Sequence, residues 1–483
     1  MSRVSVRQFS AHLGAWAEGS GRLHERLSRG IGSVIERGEL PGDTLLPTER
    51  ELAAVLGVSR TTVVSAYNAL KRDGRLVSRQ GRGTWIPAAM SAARAGSTTP
   101  VTTELFGTML GDHTGTIDLT TACPPANPVL ERTIREWGVG DLTATLGGRG
   151  YLPAGVPELR AAVAGHLGDH GLPTQPEQIV ITTGGHQAIS LAVSLLVRPD
   201  AAVITEDPTY PGALDILRAR GARVIGLPMD DAGIVVDGMG AAVAEHRPSL
   251  IYLVPSFHNP TGTVLDPERG ALIADLSRRT GVPVLEDEIL RDIWIQGRRP
   301  GPFLAAHEPD APILTVGSLS KTIWGGLRLG WIRGPRSLAE RLTRARLLAD
   351  LGGSIVVQSL ATHLIPHIDE AAEVRRATVR HAAGVAAAAL DAHLPEWAHR
   401  SPQGGAALWL RMPWGDARSF AQLCHRFGVS VLPGAVMSTN GGHGDRLRVS
   451  LLGPADELHE GIARMAAAWH AYNHIAEHQP VVV

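Results

Sequence analysis

Lys321 and Arg328, seven residues apart, are the side chains of this sequence best suited to hold a carbonyl compound that also carries a phosphate. Lysine supplies an amine nucleophile for a Schiff base, which arginine cannot do. Ser318 and Ser320 precede the lysine and offer hydroxyls to the same dianion as the Arg328 guanidinium. Lys321 is also one of only two lysines among 46 basic residues. For the other lysine, Lys71, chance is as good an explanation as a chemical role. The neighbours of Lys321 favour a chemical role.

A glycine turn offers a second set of groups for the phosphate. Residues 183–187, Thr-Gly-Gly-His-Gln, follow an apolar run and open a helix at Ala188. This turn contains Gly184, Gly185 and His186, and its free backbone N–H groups and the helix dipole would face an anion. A pair of glycines is also common in an ordinary turn between a strand and a helix. The motif therefore predicts a phosphate site only together with the other motifs.

Three further motifs suit a planar heterocycle. Tyr210 lies in the turn Asp-Pro-Thr-Tyr-Pro-Gly, where it either stacks on the ring or packs within the turn. Asn259 begins an Asn-Pro-Thr-Gly turn and presents a side-chain amide donor. Residues 286–288, Glu-Asp-Glu, provide carboxylates, one of which could keep a pyridine nitrogen protonated and make the ring an electron sink.

From Ile117 onwards, short apolar runs alternate with amphipathic segments of helix length, which is typical of a mostly parallel sheet covered by helices. In such folds ligands bind at the carboxyl ends of the strands, and each motif above follows a predicted strand. The predicted strands include Ile179 to Thr182, Ala202 to Thr205, Ile251 to Val254, Val282 to Glu286 and Ile313 to Val316.

Composition narrows the class of protein. A length of 483 residues predicts two to four domains, and 44% hydrophobic residues are ample for a large core. The sequence contains neither a signal peptide pattern nor a membrane-spanning run, so we expect a cytoplasmic protein with no membrane partner. Cys123 and Cys424 are too few for a disulfide framework or a zinc site, and the 20 histidines lack paired ligand spacing. We therefore expect reduced thiols and no metal.

The first 88 residues differ in charge from the rest of the chain. They carry 13 Lys and Arg against 8 Asp and Glu, a net charge of +5, whereas the remaining residues have a net charge of −6. A basic head on an acidic body suits a polyanionic partner. Amphipathic helices are predicted over residues 21–38, from Thr48 to Gly57, and over 60–72, and the short turn between the last two predicts a helix-turn-helix.

The start of the third predicted helix has the residues that a DNA-reading helix needs. Ser59, Arg60, Thr61 and Thr62 offer short hydroxyls for phosphates or bases and an arginine that can bind guanine with two hydrogen bonds. Residues 76–86 then predict a hairpin with a basic, glycine-rich tip, which is a wing.

This head resembles the winged helix-turn-helix of the GntR family of bacterial regulators. The family's patterns LP-[ST]-x-R-x-LA, G-V-S-R-x-T-V and G-x-G-T occur at residues 46–53, 57–63 and 81–84. The resemblance implies DNA contacts from Arg50, Arg60, Thr61 and Thr62, with Gly81 at the tip of the wing. A solvated or capping arginine is the alternative for Arg50, and Lys71 is better explained as a surface cation at the end of its helix.

The body resembles the fold-type I aminotransferases, because the motifs S-x-S-K-x6-R-x-G and N-P-T-G are intact and in the expected order. The resemblance covers residues 117–460 and implies pyridoxal 5'-phosphate as the cofactor. It implies a Schiff base at Lys321, a pairing of Asp287 with the pyridine nitrogen, a donor to the ring phenolate at Asn259 and stacking by Tyr210. The implied phosphate-binding residues are Gly184, Gly185, Ser318, Ser320 and Arg328, and His186 is a further cofactor-binding residue.

Two more residues follow from this resemblance. Tyr151 matches the tyrosine that reaches the phosphate of the neighbouring subunit, which implies a homodimer with sites at its interface. Arg448, with Arg446 as the fallback, matches the arginine that binds a substrate carboxylate. An ordinary arginine on a surface strand is the alternative for either.

One position departs from the aminotransferase pattern. The family places a tyrosine two or three residues after the equivalent of Asp287, where it helps to hold the cofactor phenolate, but Ile289 and Leu290 stand here. Losing that donor leaves Asn259 as the main partner of the ring oxygen. The departure puts efficient transamination in doubt, whereas the phosphate cradle and the lysine still predict cofactor binding.

From end to end, the chain resembles the MocR family of bacterial transcription regulators, in which these two parts are fused. The implied fold class is a mostly α head with a β wing, followed by an α/β fold-type I domain with a smaller C-terminal α+β subdomain. We predict a DNA-binding domain over residues 1–88, a flexible linker over 89–116, a large domain over 117–355 and a small subdomain over 356–483.

The resemblance implies a regulator that binds double-stranded operator DNA and senses a small amine or amino acid through a Schiff base with the cofactor. An active aminotransferase that carries a regulatory head is the alternative. A cofactor-free dimerisation scaffold is a third possibility, and it predicts a colourless protein.

Overall fold

A computed structural model describes most of the chain. The described residues are 4–13, 16–17, 21–36, 40, 44–79, 83–87, 115–138, 140, 143, 148, 150–297 and 299–477. Gly81 and all but the last two residues of the predicted linker lie outside them. None of the helices in these ranges combines the length and the apolar character needed to cross a bilayer.

The head confirms the predicted winged helix-turn-helix. Thr48 and Ser59 cap the second and third predicted helices by accepting hydrogen bonds from the backbone N–H groups of Glu51 and Thr62. A short helix before them was not predicted, and it forms because Phe9, together with neighbouring apolar residues, is buried against the same core. The elements of the head are α1 (Val6–Leu13), α2 (Leu23–Glu36), α3 (Glu49–Val55), α4 (Arg60–Arg72), β1 (Val77–Arg79) and β2 (Gly83–Trp85).

The body begins with a large domain whose helices cover both faces of a central sheet. Its described elements are β3 (Ile117–Asp118), α5 (Pro128–Glu136), α6 (Pro157–Asp169), β4 (Ile179–Thr182), α7 (Gly185–Leu196), β5 (Ala202–Asp207), α8 (Pro211–Ala219), β6 (Arg223–Asp230), β7 (Gly233–Ile234), α9 (Met239–His246), β8 (Leu250–Leu253), α10 (Pro267–Thr280), β9 (Val284–Asp287), α11 (Leu304–His307), β10 (Ile313–Ser318), β11 (Gly330–Arg333), α12 (Arg336–Ala349) and α13 (Ile355–Leu364).

The sheet has the strand order β4-β11-β10-β9-β8-β5-β6-β7. Strands β10, β9, β8, β5 and β6 pair in parallel, and β4 runs in the same direction because β11 is antiparallel to both of its neighbours. The five predicted strands are confirmed, with ends that differ by at most two residues. Their carboxyl ends therefore meet at one edge of the sheet, which is where the predicted motifs follow.

The small subdomain packs a three-stranded sheet, in the order β12-β15-β14, against three helices. Strand β3 pairs in parallel with β13, so residues 117–118 join the core of this subdomain although they precede the large domain in sequence. The predicted domain boundaries stay predictions. The elements are α14 (Ile368–His393), β12 (Ala407–Arg411), α15 (Ala417–Arg426), β13 (Val429–Ser430), β14 (Leu432–Pro433), β15 (Arg446–Ser450) and α16 (Ala455–Glu477).

Candidate cofactor and effector site

Residues after β4 and β10 form a cradle of backbone N–H groups and hydroxyls. Gly184 has a positive φ of 82° at the start of α7, and a Cβ there would lie 3.1 Å from the Arg328 guanidinium. Arg328 Nη2 donates to the carbonyl of Thr183 at 3.2 Å, which holds the guanidinium beside the helix start. Ser318 Oγ and Ser320 Oγ are 2.9 Å apart. The arrangement brings together the helix N-terminus, the guanidinium and two hydroxyls that the sequence predicted as a phosphate site.

Lys321 lies in a π-helical turn, Ser320–Trp324, directly after β10. Its Nζ donates to the carbonyl oxygen of Ala122 at 2.6 Å. Burial lowers the pKa of the Lys321 ammonium, and the guanidinium groups of Arg448 and Arg328 lower it further. A lysine with a lowered pKa has a larger fraction of neutral amine at neutral pH, which is the nucleophilic form.

Of the three predicted carboxylates at the end of β9, Asp287 is the one whose charge favours the ammonium form of Lys321. Glu286 points to the other side of the strand, where it accepts hydrogen bonds from Thr315 Oγ1 and from two N–H groups at the start of α11. Glu288 lies 3.5 Å from Arg291. Burial raises the pKa of Asp287 to about 6, although two hydrogen bonds and the charge of Lys321 oppose that rise.

Two further side chains were predicted to contact a ring, and one of them, Tyr210, lies near Asp287. Tyr210 begins α8, and burial, followed by the charge of Asp287, raises the pKa of its phenol to about 12. Asn259 lies in the turn after β8, and its Oδ1 is buried with no hydrogen-bond partner in the described part of the chain. Ile289, which stands in place of the family tyrosine, is the side chain that a Cβ at Gly185 would meet.

Arg448 is the buried arginine of β15, which distinguishes it from the fallback Arg446. The Arg448 side chain is 4% exposed, its Nη1 donates to the carbonyl of Thr120 at 2.7 Å, and its Nε has no partner among the described residues. Burial lowers the pKa of this guanidinium to about 10. Arg446 instead lies half-exposed, with its Nε 3.7 Å from Asp445. A buried guanidinium with an unused N–H group is suited to a carboxylate ligand.

Residues 119–126, which we name the strap, were missed by the sequence analysis. The strap passes over the site and supplies the carbonyl oxygens of Thr120 and Ala122 to Arg448 and Lys321. Backbone oxygens are present in every sequence, so no residue type could have signalled this contact. Tyr252 on β8 was also missed, and its Oη donates to Asp287 Oδ2 at 3.0 Å. A lone tyrosine inside an apolar strand, which needs a buried partner, was the available signal.

Of the remaining predicted residues, His186 lies beside the cradle, and the others lie apart from this cluster. Tyr151 is 68% exposed. His186 is partly buried in the first turn of α7, and burial lowers the pKa of its imidazole. On the head, the predicted DNA-binding side chains Arg50, Ser59, Arg60 and Thr61 are exposed and Thr62 is partly buried, whereas the predicted contact at Gly81 lies outside the described residues.

Family models match both parts of the chain. The model described as aminotransferase class I and II matches residues 125–465, and the model described as bacterial regulatory proteins, gntR family, matches residues 23–86.

Individual proteins are similar to the chain over most of its length. The chain is 30% identical to the uncharacterized HTH-type transcriptional regulator YisV of Bacillus subtilis, over 92% of this chain and 95% of that protein. It is 28% identical to the probable rhizopine catabolism regulatory protein MocR of Rhizobium meliloti, over 78% of each. Among solved structures, the α-aminoadipate aminotransferase LysN of Thermus thermophilus, complexed with N-(5'-phosphopyridoxyl)-L-leucine, is similar with a TM-score of 0.67 and 27% identity, over 77% of this chain and 97% of that one.

Proposed function

Since this chain belongs to the aminotransferase class I and II family and joins that domain to a GntR-type DNA-binding domain, as MocR-type transcription regulators do, we propose that it senses a small amine or amino acid with pyridoxal 5'-phosphate. The observation that carries the proposal concerns the strap. Lys321 and Arg448 both donate to it, and the strap lies at the start of the body, directly after the predicted linker from the head.

The site fits the cofactor, which this fold generally binds. A Cβ at Gly184 would press on Arg328, so the glycine leaves the cradle open beside the guanidinium. The buried Oδ1 of Asn259 accepts no hydrogen bond from the described residues, so the contacts of this side-chain amide leave it available to a bound polar group, to which its N–H group would donate. The residues that would hold the cofactor are Lys321, Asp287, Asn259, Tyr210, Gly184, Gly185, His186, Ser318, Ser320 and Arg328. When bound, pyridoxal 5'-phosphate supplies a carbonyl for an amine and a ring that withdraws electrons.

The effector is proposed to carry an amine, and Arg448 favours one that also carries a carboxylate. The buried guanidinium already accommodates one backbone oxygen and retains an unused Nε–H. A carboxylate on Arg448 would compete with Thr120 for the guanidinium, and capture of Lys321 by the cofactor would remove the donor to Ala122. Both events change the anchoring of the strap.

Two contacts support a coupling between the small subdomain and the head. Arg426, the last residue of α15, donates from Nη1 to the carbonyl of Gly57 at 3.0 Å. Gly57 lies in the turn between α3 and α4, the recognition helix. On the same helix, Gln422 accepts a hydrogen bond from the indole of Trp16. A shift of the small subdomain on effector binding would therefore act directly on the helix-turn-helix.

The body is proposed to be a homodimer. An apolar surface is exposed around the loop that follows α12, where Leu348 is 89% exposed and Leu351 is 45% exposed. The backbone at Gly352 lies against the backbone of Leu152. The exposed Tyr151, which precedes Leu152, therefore lies beside the same apolar surface. An exposed apolar patch of this kind favours a protein partner, and a second copy would bury Tyr151 near the neighbouring cradle.

An active aminotransferase is the second candidate function. It is favoured by the meeting of Lys321, Asp287 and Arg448 in one site, and it is opposed by Ile289, which removes a donor to the ring oxygen. Keto acid release from an amino donor at ordinary enzyme rates, measured in the steady state, supports the enzyme. Binding without turnover supports the sensor.

Arg60→Ala is expected to weaken specific operator binding by about 1 to 3 kcal/mol, which is roughly 5- to 150-fold. The reason is the loss of a two-bond contact to a base from the exposed start of α4. Fluorescence anisotropy with the operator and with a scrambled duplex measures the effect. The matched control is Arg72→Ala at the other end of the same helix. This variant should weaken binding to the operator and to the scrambled duplex by the same small factor. An unchanged preference for the operator in Arg60→Ala removes this residue from base recognition.

A further inference from the structure

Tyr252 is the one tyrosine in β8, and its hydroxyl donates to a carboxylate that the proposed function assigns to the cofactor ring. The Tyr252 side chain is 1% exposed and its Oη lies 3.0 Å from Asp287 Oδ2. The other carboxylate oxygen, Oδ1, accepts from the backbone N–H of Ile289 at 3.1 Å. Asp287 is thus held at both oxygens, and Tyr252 supplies the only side-chain hydrogen bond to it in the described part of the chain.

We propose that Tyr252 is a positioning residue, whose hydroxyl orients the Asp287 carboxylate toward the cofactor pyridine nitrogen and favours its charged form. The inference rests on the proposed cofactor. It adds a residue to which no role in the site has been assigned. Tyr252 acts only through Asp287, because its hydroxyl is committed to that carboxylate.

The register of the sheet makes this contact specific. Tyr252 lies opposite Leu285 in the parallel pair of β8 and β9, and Asp287 is the last residue of β9. Asp287 lies two residues beyond Leu285 on β9, so its side chain projects to the same face of the sheet as that of Tyr252. Phenylalanine would fill the same space in the core. Packing therefore accounts for the aromatic ring of Tyr252 but not for its hydroxyl, which is accounted for by the hydrogen bond to Asp287.

The surroundings of Asp287 show why a neutral donor matters. Burial opposes the charged form of Asp287, and the nearby carboxylate of Glu206 adds to that effect. The charges of Glu288 and of Tyr210, when ionised, act in the same sense, whereas the ammonium of Lys321 favours the carboxylate. Capturing Lys321 in a covalent link with the cofactor weakens that support. The Tyr252 hydroxyl then remains beside Asp287, together with the pyridinium that Asp287 pairs with.

The test is the pH dependence of cofactor affinity, measured by absorbance titration of the full chain with pyridoxal 5'-phosphate. Burial places the pKa of Asp287 at about 6, so wild-type affinity should be complete above that pH and fall as the pH decreases through it. Tyr252→Phe raises the pKa of Asp287, so its affinity should fall at a pH higher by roughly one unit, a tenfold change in the ionisation equilibrium. The ionisable groups of the cofactor are the same in all variants, so their protonation does not contribute to the difference between the pH midpoints.

Tyr67→Phe is the matched control. Tyr67 is likewise 1% exposed and its Oη donates to the carbonyl of Pro47 at 2.9 Å, but it lies in the head. The midpoint in Tyr67→Phe should equal that of the wild type. A role through Asp287 also requires that Tyr252→Phe has no further effect on affinity in an Asp287→Asn background.

Three results would overturn the inference. Equal midpoints in Tyr252→Phe and the wild type, with normal binding in both, contradict the role of Tyr252 while leaving the proposed function intact. An additive effect in the Asp287→Asn background contradicts action through Asp287. Wild-type protein that binds no cofactor at any pH overturns the proposed function, and this inference with it. If Tyr252→Phe does not fold, site-specific incorporation of fluorotyrosine, a stronger donor, at position 252 alone must instead move the midpoint to lower pH.

Discussion

Lys321→Ala is expected to abolish the yellow colour that the protein shows when it is purified with pyridoxal 5'-phosphate. The colour comes from a Schiff base between the lysine amine and the cofactor carbonyl, and no other lysine lies in the body of the chain. The effect is all-or-none for the visible absorption band. The phosphate cradle around Arg328 remains, so the variant should still bind the cofactor weakly and release it on gel filtration.

Lys71→Ala is the matched control, because it removes the one other lysine of the sequence. This variant should stay yellow, and borohydride should bleach it and fix the cofactor to the peptide that contains Lys321. A colourless wild-type protein would support the dimerisation scaffold. Colour that persists in Lys321→Ala would show that the covalent link lies elsewhere.

Arg448→Gln is expected to weaken effector binding by about 150- to 5,000-fold, with the cofactor still bound. Breaking a buried ion pair by removing one partner costs about 3 to 5 kcal/mol. The Arg448 guanidinium is 4% exposed, so water does not replace it for a carboxylate ligand. The measurement is the change in the cofactor absorption spectrum as amino acids are titrated into the loaded protein.

Arg446→Gln is the control for this prediction, because Arg446 is the other arginine of β15 and lies half-exposed beside Asp445. Its effector affinity should change less than about threefold, as expected for an exposed ion pair. A simple amine without a carboxylate should bind the wild type and Arg448→Gln equally. If both arginine variants bind amino acids as the wild type does, the carboxylate is not recognised by this strand.

Much of the candidate site could be predicted because its residues belong to short motifs at strand ends. Asp287 ends a strand of the central sheet, and Gly184, Asn259 and Lys321 each follow one, so the fold alone brings these positions to one edge. The residues alone left open the choice among the three acids of residues 286–288, and the resemblance to aminotransferases pointed to Asp287. Side chains alternate between the two faces of β9, and this alternation turns Glu286 toward α11 instead of the site.

The contacts that depend on distant chain segments could not be predicted. Tyr252 and Asp287 are 35 residues apart and meet only through the register of β8 and β9. Arg426 and Gly57 are 369 residues apart, and the contact uses a backbone oxygen that carries no sequence signal. Lys321 and Arg448 likewise contact the strap through backbone oxygens, which carry no sequence signal. Strand pairing decides the contact of Tyr252 and packing between domains decides that of Arg426, and local residue patterns encode neither.

The central claim is that cofactor chemistry in the body controls DNA binding by the head. Operator affinity of the cofactor-loaded full chain, measured by fluorescence anisotropy with and without a series of amines and amino acids, tests it most directly. At least one amine should change the operator affinity of the wild type by about 5- to 150-fold, the usual range of allosteric coupling. The same compound should have no effect on Lys321→Ala. Operator binding that responds equally in both proteins, or in neither, would contradict the account.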